Sequence, residues 1–256
     1  MTVVNPAINP AITYSVVTAC WNSARTIVRC IDSVLGQSVL PKEHFLIDGG
    51  STDDTRALIT ESLSKNSITG GGMAWKLLEQ GGVRGISAAW NMALRECTGD
   101  MVFILNSDDW YEQNCARRVL DAVRENPDAD VVLANANTYR RGENKRHAVW
   151  RNRPDWLLPV LMPYVHPSCF VRRTVYQRLG GFDPALAVAM DYDFLWRCRM
   201  SGAKFVRLQD VLSNFELGGV ANSHRKEARL EVYKVASRYC RILPAAALAC
   251  RYLTGR

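Results

Sequence analysis

At 256 residues, 48% hydrophobic and 22% charged, the chain is long enough for one α/β domain with a substantial core and too apolar for large-scale disorder. The formal charge of +7 is unevenly divided: residues 1–130 hold 11 Lys/Arg and 16 Asp/Glu, and residues 131–256 hold 21 and 9. The second half therefore either faces something anionic (phosphates, nucleic acid or an acidic membrane) or presents a solvated basic surface.

Eight cysteines with no C-x-x-C pair and no regular spacing argue against a zinc site and a disulfide framework, and fit a reducing cytosol. The first 24 residues carry no charged side chain, but Pro6 and Pro10 interrupt them and no basic segment precedes, so no signal peptide is expected. The apolar run Leu157–Val165 is broken by Pro159 and Pro163 and is too short to cross a bilayer. No membrane-spanning segment is expected.

In chain order, Ile12–Cys20 reads as a β-rich run. Asn22 or Ser23 can cap a helix in which Ile27, Cys30, Ile31, Val34 and Leu35 form one apolar stripe. His44–Gly50 reads as a short buried strand entering a glycine turn. Ser51, three residues before Asp54, looks like a capping box for a helix through Leu63. Ala74–Gln80 is a third strand, followed by a helix with Ile86, Ala89, Trp90, Ala93, Leu94 and Cys97 on one face. Gly99–Asp109 is a fourth strand, Cys115–Asn126 a helix stopped before Pro127, and Asp130–Tyr139 a fifth strand. From His166 to Gly202 the pattern gives a strand, a helix, a Gly-Gly turn and another helix.

This alternation predicts a mostly parallel sheet covered on both faces. Ligands of such sheets bind outside the carboxyl ends of the strands, where loops and helix N-termini converge. Polar clusters follow three strands there: Thr18–Asn22, Asp48–Asp54 and Asn106–Asp109. Adjacent Asp108 and Asp109 repel one another, which fits either a solvated turn or a shared cation. Mg2+ or Mn2+ takes oxygen ligands from one or two carboxylates while substrate phosphates complete the shell.

The stretches SVVTACWNSARTIVRCIDSVLGQS, LIDGGSTDDT, GISAAWNMALRECTGDMVFILNSDDWY and HPSCFVRRTVYQRLGGFDPALAVAMDYDFLWR occur in that order. Over about residues 13–222 the chain resembles the family 2 glycosyltransferases of GT-A fold, bacterial surface-polysaccharide and glycolipid enzymes in particular. The resemblance implies an α/β, Rossmann-like GT-A domain over residues 1–222, with a nucleotide-binding half at about 13–140 and an acceptor half at about 141–222. Residues 223–256 are expected to form a basic, helical C-terminal extension.

The resemblance also implies roles. Thr18, Asn22 and Asp48 match nucleotide-binding positions, and Arg84 a basic position near the diphosphate. Asn106-Ser107-Asp108 takes the place of the metal-binding D-x-D motif, with Asp109 following, and Asp191 matches the catalytic base. Three positions depart from the pattern: Asn106 replaces the first aspartate of D-x-D, Gly49 an acid after Asp48, and Met190 the glutamate before Asp191.

A metal-dependent inverting transferase is thereby expected, using Mn2+ or Mg2+ to move a sugar from a nucleotide-sugar, UDP-linked by family habit, to a glycan or lipid-linked acceptor. A direct displacement needs no covalent nucleophile. His224 is a candidate additional ligand of the metal or diphosphate, with Arg225 and Lys226 on the same loop. His166 either faces the acceptor or is structural. Asp193 reads as a surface or capping acid, Trp90 as packing, and Trp21 and Trp110 as candidates to stack on sugar or base. Val232, Val235, Ala236, Tyr239, Cys240 and Leu243 form an apolar stripe beside Lys234, Arg238 and Arg241. Such a helix either lies on an anionic membrane or packs on the domain. The expected location is the cytoplasm, with an option of peripheral attachment to the inner face of the membrane.

A sugar-1-phosphate nucleotidyltransferase would want a Gly-rich phosphate loop after the first strand, which TACWNSART lacks. A nucleic-acid-binding protein would want exposed aromatics among its cations, so no nucleic-acid partner is expected.

Overall fold

The computed structural model describes residues 11–67, 73–82, 85–218 and 225–240. Strand β1 (Tyr14–Cys20) lies between β2 (Glu43–Asp48) and β4 (Met101–Ile104), parallel to both, and β3 (Ala74–Glu79) extends this parallel block beyond β2. Strands covered on both faces read as continuous apolar runs, and here alternate residues serve opposite layers. Tyr14, Val16, Met101 and Phe103 pack with α1 (Ile27–Leu35) and α4 (Cys115–Glu125). Val17, Val102 and Ile104 pack with α3 (Ile86–Leu94), α5 (Arg173–Leu179) and α6 (Met190–Met200) on the other face. Helix α2 (Thr55–Ser67) joins α1 through Ile59.

Beyond β4 the sheet becomes mixed. Strand β8 (Cys169–Arg172) is antiparallel to β4 and to β6 (Val131–Arg140). The 13-residue β9 (Phe205–Leu217) runs parallel to β6, and the two-residue β5 (Trp110–Tyr111) closes that edge. Strand β7 (Arg146–Trp150) forms a hairpin with β6 off the main path of the nine-stranded sheet.

One expectation is corrected here. Helix α2 is not opened by Ser51: the Thr55 N–H and hydroxyl donate to Asp53, while the Ser51 hydroxyl donates to Asp48 at 2.6 Å. Of the two readings of the C-terminal apolar stripe, its described part takes the second, packing on the domain. On α7 (Arg225–Tyr239), Val235 and Ala236 are buried in the core, and Tyr239 stacks on Trp196 of α6 at 4.8 Å. Among the described residues no helix is long and apolar enough to cross a membrane, and the described cysteines are all free, with only Cys240 less than buried.

The turn into β4 presses on β1. A Cβ on Gly99 would fall 2.5 Å from the backbone of Tyr14 and Ser15, atoms fixed by the central strand. Gly99→Ala is therefore expected to lower stability by about 1–3 kcal/mol, the usual cost of overpacking, read as a reduced urea midpoint at unchanged slope.

Candidate active site

The parallel block puts the carboxyl ends of β1 to β4 on one rim. Their loops are stapled together by hydrogen bonds across long sequence separations. Asn22 takes the left-handed conformation (φ 49°), which asparagine tolerates better than most residues. Its N–H donates to the Ser51 hydroxyl and its Oδ1 accepts from the Thr52 N–H, both at 2.9 Å. The Ser23 and Ser107 hydroxyls are 2.7 Å apart, tying the loop after β1 to the loop after β4. Trp21 stands on this rim, 68% exposed. A Cβ at Gly49 would lie 3.5 Å from the Trp21 Cβ, an ordinary contact distance, so the space at this position does not explain glycine in place of the family's acid.

Two expected ligand contacts turn out to lie beneath the rim. Thr18 is fully buried with its hydroxyl 2.9 Å from His44 Nε2, because it points, like Val16 and Cys20, to the face of the sheet covered by α1, where Cys30 Sγ lies 3.9 Å away. Asp48 is also buried; its carboxylate accepts from the Ser51 N–H and hydroxyl and sits 3.8 Å from Arg56. Both shape the rim loops from within. Arg84 and His224 lie outside the described residues, and nothing is described of the Arg225 and Lys226 side chains.

The Asn106–Asp109 segment is a tight turn: the Asp109 N–H donates to the Asn106 carbonyl at 3.1 Å. Asp109 points inward and is fully buried, accepting from Asn106 Nδ2 (3.2 Å) and the Glu216 N–H (3.0 Å). This corrects Asp109 as a metal ligand. Its carboxyl pKa is driven well up by burial and by the neighbouring Asp108 charge. Asp108 faces outward and is partly exposed. Burial, aided by Glu216, raises its pKa against the pull of Arg141 and Arg29.

Glu216 and its arginines organise this turn, and sequence reasoning missed all three. The Glu216 carboxylate pairs with Arg25 and, at 3.0 Å, with Arg29. Arg29 also donates to the Asp108 carbonyl at 2.9 Å and lies 3.6 Å above the Trp110 ring.

Among the described residues no three His, Cys, Asp or Glu side chains converge as a metal cage. Asn106 Oδ1, however, is buried without a hydrogen-bond partner in the same turn that carries Asp108. An orphaned carbonyl oxygen and one outward carboxylate fit a hard cation that takes one or two protein ligands and completes its shell with phosphates and water.

Asp191 approaches from the other half. It opens α6, partly exposed, with Oδ1 accepting its neighbour's Tyr192 N–H at 2.7 Å, and it forms no ion pair among the described residues. Burial holds His166 below the usual histidine range while the nearby Asp191 charge opposes it, and the His166 ring stacks on Trp90 at 5.1 Å. Cys169, whose thiol burial and Asp191 both push up, begins β8 at the end that pairs beside the carboxyl tip of β4. Asp191 is thus near the end of β8 that borders the carboxyl tip of β4.

The loop leading to Asp191 is clamped twice. Asn91 of α3 exchanges hydrogen bonds with the Phe182 backbone at 2.7 and 2.8 Å. From α7, the Glu231 carboxylate accepts the N–H groups of Ala187, Val188 and Ala189 at 2.8–2.9 Å. Asp193 is no surface acid: it is buried against Arg197 (2.9 Å) and Arg238 (2.7 Å).

Comparison with known proteins agrees with this architecture. The family model "Glycosyl transferase family 2" matches residues 15–180. Escherichia coli chondroitin synthase is 28% identical over 218 residues, covering 83% of this chain but only 30% of its own length. The Mycobacterium bovis PGL/p-HBAD biosynthesis glycosyltransferase is 27% identical over 215 residues, covering 82% of this chain and 79% of its own. Among solved structures, S. aureus TarS 1–349 in complex with UDP-GlcNAc superposes with a TM-score of 0.69 at 18% identity, covering 92% of this chain and 69% of that one. The Pyrobaculum calidifontis mannosyltransferase PcManGT in complex with GDP-Man and Mn2+ gives 0.66 at 19% identity, covering 95% and 76%. With the matched segment running from β1 through α5, the chain belongs to the family 2 glycosyl transferases, and it is an enzyme of their GT-A architecture.

Proposed function

We propose that the protein transfers a sugar from a nucleotide-sugar to an acceptor hydroxyl with inversion at the anomeric carbon, in the presence of Mn2+ or Mg2+. The reading is supported by a partly exposed Asp108 in one turn with an orphaned Asn106 oxygen, and by an Asp191 that has no ion-pair partner among the described residues. UDP is the favoured nucleotide, in line with the UDP-GlcNAc complex of TarS, whereas PcManGT holds GDP-Man.

In this reading Trp21 offers its exposed ring to the base and the Asn22 loop borders the ribose and diphosphate. Asp108 and Asn106 would hold the cation, which would supply electrostatic stabilisation to the departing diphosphate. Asp191 removes the acceptor proton as the hydroxyl oxygen bonds to the anomeric carbon and the bond to the diphosphate breaks. The carbon passes through a state of oxocarbenium character, and a single displacement inverts it. His166, held neutral by burial, lines the acceptor side without adding a positive charge that would weaken Asp191 as a base. The acceptor is a glycan or lipid-linked sugar, and we place the enzyme in the cytoplasm at the inner face of the membrane.

A thermal-shift panel tests donor and metal together. At a ligand concentration 100-fold above Kd, binding adds about 2.7 kcal/mol, a rise of roughly 5–10 °C for a chain of this size. The expected result is that shift with UDP-sugar plus Mn2+, and a much smaller one with either alone. No shift with any nucleotide-sugar and metal would overturn the reading.

A further inference from the structure

The positive charge of the second half is not spread evenly over the described surface. Arg197, Arg199, Arg207 and Arg238 are all spent on internal partners, Asp193 or Asp155. The β6–β7 hairpin and the strand leaving it differ. Arg140, Arg141, Lys145, Arg146, Arg151 and Arg153 are all exposed, and none has an ion-pair partner among the described residues; Arg141 only biases Asp108 from nearby. A single acid, Glu143, interrupts these six cations.

Apolar surface sits beside the charge. Trp150 is 44% exposed at the end of β7, and Trp156, in the short 3-10 turn Asp155–Leu157, is 74% exposed. Leu157, Val160 and Leu161 beyond it are only partly buried. Within the described sheet β7 pairs with β6 alone, so its outer edge is uncovered.

We propose that this hairpin and the Trp156 turn form a docking surface for an anionic lipid bilayer. Unpaired cations are drawn to acidic headgroups, and tryptophan rings next to a short apolar run favour the boundary between headgroups and acyl chains. A soluble polyanionic glycan would satisfy the cations but offers nothing to Trp156 and Leu157. The hairpin also springs from the active-site rim, with Arg141 close to Asp108 and packed near Gly218. Docking through it brings that rim to the membrane surface. The inference does not depend on the transfer chemistry.

The test is co-sedimentation of the full chain with phosphatidylglycerol–phosphatidylcholine vesicles and with phosphatidylcholine vesicles. Binding is expected to the anionic vesicles only and to weaken with added salt. The triple substitution R146E/R151E/R153E should reduce partitioning at least about tenfold, since each basic residue near the surface contributes to attraction. W156A, which removes no charge, should reduce it severalfold, while R95E/R117E, outside the hairpin, should do so far less. Absence of binding to anionic vesicles would overturn the proposal. So would full binding by both hairpin variants, which would move the contact to another part of the chain. Heparin bound equally by the parent and W156A, with no vesicle binding, would reassign the surface to a soluble polyanion.

Discussion

Asp191→Asn is expected to lower kcat by about 10²–10⁴-fold, the range that a positioned general base supplies, while the affinity for donor and metal stays within about twofold of the parent. The separation follows from the geometry. Asp191 sits at the N-terminus of α6, on the half of the site that does not carry Asn106 and Asp108, and it contacts neither. Asparagine keeps the acceptor for the Tyr192 N–H, so the helix start survives and only the proton acceptor is lost. Isothermal titration with the nucleoside diphosphate and Mn2+, alongside single-turnover kinetics, makes the measurement. Normal turnover by this variant would remove Asp191 from the mechanism. Glu231→Ala should be the milder companion: it strips three N–H groups of their acceptor without touching substrate. A drop in kcat of about tenfold with unchanged donor affinity is expected from misplacing the base.

That clamp shows where local reading stops. Strands β1 and β4 and helices α1 and α3 were legible because each carries an apolar run or a single helical stripe, and periodicity reports burial when the partners are apolar. Strand β9 was not. Its buried positions include Ser213, Asn214 and Glu216, polar residues satisfied by Ser168, Asn137, Arg25 and Arg29, all from distant segments. No local pattern marks a buried glutamate whose partners lie nearly 190 residues earlier. Helix α7 posed the reverse problem, since its stripe was visible but its partner, Trp196 of α6, was not.

The family pattern placed the motif positions but not which side chains point outward. Thr18 and Asp109 are of the expected types at the expected sites, yet strand alternation and the tight Asn106–Asp109 turn aim both inward. The departure at Asn106 fits its surroundings: Asn106 donates to buried Asp109, where an aspartate would have added a fourth carboxylate to the cluster of Asp108, Asp109 and Glu216. Met190 is buried in the core, and the acid absent there has a counterpart in Glu231, which reaches the same loop from α7.

Asp108→Asn should lower kcat/KM by about 10²–10³-fold, the loss typical of removing one preorganised electrostatic group, and should abolish the dependence of nucleotide binding on added Mn2+. Of the turn's two aspartates it alone faces outward, so no neighbouring side chain can replace it. Its pKa is raised by burial and by Glu216, which means that the folded protein disfavours the ionised form. Two consequences distinguish loss of a ligand from loss of the fold. First, a neutral amide at this position removes an unfavourable charge, so the variant should keep or slightly raise its melting temperature at neutral pH. Second, cation and proton compete for the same carboxylate. In the parent, metal-supported donor binding should therefore weaken on acidification at a pH above the ordinary aspartate range, and in Asp108→Asn that step should disappear. A variant that instead melted early, and bound nucleotide poorly with or without metal at every pH, would show that the Asp108 charge supports the turn itself rather than a cation.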